Sequence, residues 1–131
     1  MNRFRIVRKY ILHSLLAGNT GGYGVHSPFM FQFTRYVLCE KHPYYIFASI
    51  ENLRENLKKD NRVIDVTDFG TGVNGNRTVA DIAKQSLKSP KQGQLFFRIA
   101  NYFKARNVLE LGTSLGITTS YLASSSSTLK S

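Results

Sequence analysis

The sequence predicts a mixed α/β chain, with an α-rich N-terminal region followed by a strand, two helices and then a further strand, glycine loop and helix. Three observations predict it. Apolar residues recur at helical spacing through residues 1–60. Capping signals open a pair of helices within residues 61–104, after a short strand and a glycine loop. Residues 105–131 then run from an apolar strand through two spaced glycines into a new helix.

In the first region Phe4, Val7, Ile11 and Leu15 share one helical face, with Arg5, Arg8, Lys9 and His13 opposite. A loop with four glycines, Gly18 to Val25, ends this helix. Ser27 and Pro28 form a helix start, because serine accepts from free backbone N–H groups and proline loses nothing at the first helical position. Phe29, Phe31, Phe33 and Tyr36 surround most of the following helix, which predicts that it is buried in the core or lies beneath a partner layer. After His42 and Pro43, Ile46, Ile50, Leu53 and Leu57 mark another amphipathic helix, on which Glu55 can pair with Lys59.

Val63 to Thr67 alternates as a short strand does and runs into Asp68, Phe69, Gly70, Thr71 and Gly72. The turn-rich residues after that loop, Val73 to Arg77, predict a flexible connection or substrate-side loop. Thr78 with Asp81, then Ser89 with Gln92, predict helices at Val79 to Leu87 and Pro90 to Phe103. Val108 to Leu111 reads as a buried strand, Gly112 to Gly116 as a tight loop and Ile117 to Ala123 as a helix start.

The chain has 18 Lys and Arg against 8 Asp and Glu, a formal net charge of +10, which draws it toward anionic partners without choosing among them. The single cysteine, Cys39, can form no intrachain disulfide, and its spacing from His13, His26 and His42 matches no metal-ligand pattern. A reducing cytoplasm is the expected setting, and no metal is expected. No apolar run approaches the ~20 residues that cross a bilayer, so no integral membrane contact is expected.

The chemistry is carried by Glu110-Leu111-Gly112-Thr113-Ser114-Leu115-Gly116 and the helix start at Thr118. A loop leaving the carboxyl end of a parallel strand brings backbone N–H groups to a ligand, and glycine lets the ligand approach. Ser114 stands where a dinucleotide loop needs its second glycine, and no lysine is near enough for a phosphate-cradling loop.

Glu-x-Gly-x-x-x-Gly after an apolar strand resembles the first motif of class I S-adenosylmethionine-dependent methyltransferases. Upstream, Gln92-Gly93-Gln94-Leu95 and Ala105-Arg106-Asn107 are similar to the corresponding segment of the catechol and caffeoyl-CoA O-methyltransferase group. Gly24-Val25-His26-Ser27-Pro28-Phe29 also looks like a group of bacterial proteins assigned as methyltransferases.

The resemblance implies a Rossmann-like methyltransferase sheet beginning at residue 105, with S-adenosylmethionine as cofactor and a small-molecule methyl acceptor of unknown identity. Gly112, Thr113, Ser114 and Gly116 would shape the loop against the cofactor's methionine part. Glu110 would sit near its amino group and sulfonium, and Thr118 would meet its carboxylate. The family's ribose-binding acid and general base lie beyond the matched positions, so the 131 residues are expected to be an N-terminal portion, inactive alone. No catalytic residue is nominated. The exposed edge of an incomplete sheet would favour self-association.

The alternative is a helix-turn-helix nucleic-acid-binding module built from Val79 to Leu87 and the helix from Pro90, with Lys91, Arg98 and Lys104 adding charge. Leu95, Phe96, Phe97, Ile99, Tyr102 and Phe103 make its second helix mainly apolar, whereas a groove-reading face is polar. No sequence-specific nucleic-acid contact is expected.

Overall fold

A computed structural model describes residues 26–66 and 75–125, together with Arg8, Lys9, Ile11 and Leu12. Those four are helical and exposed; the rest of the N-terminal helix, the glycine loops at 18–25 and 68–72 and the serine run beyond Ser125 lie outside the described residues. The chain divides into two compact units, Met1–Glu40 and Lys41–Ser131.

In the first unit α1 (Pro28–Phe33) starts as expected, with Ser27 as cap accepting from the Met30 N–H at 3.4 Å and Pro28 in the first turn. It continues into a π-helical stretch, Thr34–Leu38. The burial expected of its aromatic residues is not found. Phe29, Met30, Tyr36 and Leu38 are exposed, and Val37 is the buried residue of the stretch. Phe29 and Phe33 stack on each other, 6.0 Å apart along one helical face.

The second unit holds α2 (Tyr45–Lys59), β1 (Val63–Val66), β2 (Gly75–Thr78), α3 (Val79–Ser86), α4 (Pro90–Tyr102) and α5 (Ile117–Ser124). The sequence division at residue 60 is therefore not where the units part. Phe47 and Ile50 of α2 bury against Phe97 of α4 and Ile117 and Tyr121 of α5, and that shared core ties α2 to the C-terminal helices. Ring pairs set its geometry: Phe47 meets Phe97 edge-on at 5.0 Å and Tyr121 at 5.5 Å. Gly93 makes the α4–α5 contact feasible, because a Cβ there would lie 2.5 Å from the Tyr121 ring.

The helix starts follow the sequence. Thr78 caps α3 by accepting from the Asp81 N–H at 3.0 Å, and Ser89 with Gln92 forms a reciprocal capping box on α4. On α2, Glu55 pairs with Lys58 at 2.8 Å, one residue earlier than the expected Lys59. α4 ends with Lys104 in the left-handed region, φ 49°, while Ala105 N–H donates back to the Ala100 carbonyl at 2.9 Å. That is a Schellman-type stop, made here without glycine.

The chain is mixed α/β, but its sheet differs from the expected one. β1 pairs antiparallel with β2, Val63 opposite Thr78 and Val66 opposite Gly75. Residues 75–77, expected to belong to a flexible connection or substrate-side loop, are thus part of a strand that runs to the cap residue Thr78. Val108 to Leu111, expected to be a buried strand, forms none, and Leu109 and Leu111 are 85% and 87% exposed. A strand needs a neighbour to take its backbone N–H and C=O groups, and residues 108–111 lie along neither edge of the two-stranded sheet formed by β1 and β2.

Candidate functional site

α5 positions the glycine loop. Ile117 and Tyr121, four residues apart and therefore on one helical face, are fully buried and anchor the helix. The preceding loop closes through the Gly116 N–H on the Thr113 carbonyl, 3.1 Å, and Ser120 N–H returns to the Gly116 carbonyl at 2.9 Å to begin the helix. Gly112 and Gly116 both have left-handed φ, 81° and 77°, and an added Cβ at either would meet nothing within 4 Å. Glycine is required there by backbone conformation. Ser114 also adopts φ 53°, a strained value for a residue with a side chain.

A cavity of about 360 Å³ lies against this loop. Glu110, Gly112, Thr113, Ser114 and Thr118 line it, joined by Ser86, Leu87 and Lys88 from the turn between α3 and α4 and by Phe96 and Leu122. Of the six residues nominated from sequence, Gly116 alone lies outside the lining, so its part is to turn the chain. A second cavity of about 200 Å³ shares Val108, Glu110 and Leu122 and adds Arg106 and Thr119. Glu110 therefore faces both. Its carboxylate accepts the Thr119 hydroxyl at 2.6 Å, which leaves lone pairs for a cationic or N–H-bearing ligand.

Three participants escaped the sequence reading. Thr119 orients Glu110; the Ser86 hydroxyl touches that of Ser114 at 2.9 Å; and Lys88 lines the cavity from the turn before α4. Thr119 was within reach of sequence, since it lies on the first turn after the motif. Ser86 and Lys88 come from a different helix pair, and only the folded chain brings them near.

Behind the loop lies a polar cluster. The Tyr121 hydroxyl donates to Glu51 at 2.7 Å, and Arg54 Nε donates to the other oxygen of Glu51 at 2.8 Å. Arg54 is 3% exposed, and its Nη1 donates to the Lys88 carbonyl at 2.6 Å. Burial, then the hydrogen bond to Glu51 and its charge, push the Tyr121 hydroxyl up to about 12. The phenol keeps its proton across the neutral range and remains a donor.

Among the described residues, no group of three or more His, Cys, Asp or Glu could hold a metal ion, and no helix is long and apolar enough to cross a membrane. Comparison with family models, curated proteins and solved structures finds no match for the chain.

Proposed function

We propose that the loop Glu110 to Thr118 is the methionine-side cofactor loop of an S-adenosylmethionine-dependent methyltransferase of the O-methyltransferase type. One observation carries the proposal: five of the six residues nominated from the motif line a single cavity of about 360 Å³. That volume is within the range of small-molecule sites, ~300–1,000 Å³. The mainly apolar lining around one carboxylate suits a ligand with a cationic, hydrogen-bonding end.

The residues present fit the methionine half of the cofactor. Open space beside Gly112 admits close approach, Glu110 can accept from its ammonium group, and Thr118 at the start of α5 can donate to its carboxylate. When bound, the cofactor supplies an electrophilic methyl on a sulfonium; this chain's residues bind and orient it. Glu110 is the one carboxylate among the lining residues, so the cavity offers no second acid for a ribose. Binding is therefore weak, and the 131 residues alone do not turn over. The methyl acceptor is a small molecule, and the setting is the cytoplasm.

The helix-turn-helix alternative is the weaker reading. Gly93 and Phe97 put one face of α4 into the core, which leaves that face unable to enter a groove.

The test is a titration of the chain with S-adenosylhomocysteine followed by NMR chemical shifts. Shifts should concentrate in residues 108–122 with millimolar affinity. Glu110→Gln should weaken binding roughly tenfold, the cost of about one charge-assisted hydrogen bond. Gly116→Val should abolish it, because a branched residue cannot hold that left-handed turn. Absence of shifts, or shifts that ignore both substitutions, would sink the proposal.

A further inference from the structure

We infer that Glu51, Arg54 and Tyr121 act as one positioning unit that sets the two walls of the 360 Å³ cavity in register. The inference rests on the cofactor reading only for the identity of the ligand.

The hydrogen bonds close a ring. From α5, which supplies Thr118 and Leu122 to the cavity, Tyr121 donates to Glu51 of α2 at 2.7 Å. Glu51 accepts from Arg54 on the same helix at 2.8 Å. Arg54 then reaches the Lys88 carbonyl at 2.6 Å, in the turn that forms the other wall. The ring closes between two lining residues, where the Ser86 hydroxyl lies 2.9 Å from that of Ser114.

This cluster is poorly explained as a source of stability. Arg54 is a buried cation whose Nη2 makes no hydrogen bond, and buried ion pairs often exchange for apolar residues without loss of stability. What an apolar replacement cannot give is direction. Apolar contacts tolerate sliding of one helix past another, whereas a guanidinium holding a carboxylate by one N–H and a carbonyl by another fixes both at once. Arg54 holds two partners, one on α2 and one in the turn between α3 and α4, and neither bond uses Glu110 or Thr118. Glu110 keeps lone pairs for a ligand beside the bond it accepts from Thr119.

The experiment measures register without any ligand. In the full chain with Cys39→Ser, the pair Ser86→Cys and Ser114→Cys replaces the touching hydroxyls with thiols, and disulfide closure is timed in an oxidised-glutathione buffer below the melting transition. The parent pair should close readily. Arg54→Lys, which keeps the charge but cannot serve both acceptors, and Tyr121→Phe, which loses only the hydroxyl, should each slow closure about tenfold while circular dichroism remains that of the folded chain. A stability role alone would lower the melting temperature and leave closure unchanged below it. Closure within twofold of the parent in both variants, or a parent pair that does not close, overturns the inference. S-adenosylhomocysteine titration forms a separate arm. If the parent chain ignores that ligand, the cofactor reading fails while the closure rates still decide the positioning unit.

Discussion

β1 and the segment Val108 to Leu111 are nearly interchangeable on paper, each four residues long and rich in branched apolar side chains, yet one is a strand and the other is not. The difference is the distance along the chain to a partner. β1 is followed after a short connection by β2, which can fold back antiparallel, and closing a short loop costs little entropy. A parallel partner for residues 108–111 would need a crossover and a free strand edge in the right direction. β1 and β2 are the only strands among the described residues, and neither takes residues 108–111 along its outer edge. Apolar patterning thus states a preference that only a neighbour can satisfy. The segment is held instead from its ends, by the stop of α4 at Lys104 and by the start of α5 at Gly116.

If the flanking helices hold the segment, the largest effect should come from the core that joins them. Phe97→Ala removes the ring that meets both Phe47 and Tyr44, and it should cost about 3–5 kcal/mol in chemical denaturation. A loss below ~1 kcal/mol would mean that the helices are not what anchors the loop. On the hairpin side the expected effect is smaller. Thr78→Ala removes the cap that joins β2 to α3, worth about 1 kcal/mol, and the same measurement should register it. Smallest of all is Leu111→Ser. At 87% exposure the leucine has little burial to lose, so stability should stay within ~0.5 kcal/mol. A larger loss would show that residues 108–111 are covered in solution, by a second copy of the chain for instance, and light scattering would then report the association.

Candidate-site residues were legible in sequence to the extent that their role is local. Glu110, Gly112, Thr113, Ser114 and Thr118 fall around one cavity because a turn and one helical turn after it gather nearby residues whatever the rest of the chain does. Gly116 was nominated as well, and its φ of 77° explains the residue type, though it is not among the lining residues. Ser86, Lys88 and the Glu51–Arg54–Tyr121 cluster carry no sequence signal, since a lone charged residue in a helical pattern reads as solvated surface. Arg54 looks like such a residue and is buried.

The sequence by itself determined where helices begin: Ser27, Thr78 and Ser89 each cap the helix they were expected to cap. A cap is an interaction between residues three apart, and its geometry is complete before any distant segment arrives. Tertiary structure alone decided that β1 pairs with β2, that Leu109 and Leu111 stand in solvent and that α2 belongs with the core rather than with the N-terminal region. Each of these depends on which surfaces meet. The sequence encodes the surfaces, but the free energy of burial and of ladder hydrogen bonds is realised only between partners, and a segment without one leaves its preference unexpressed.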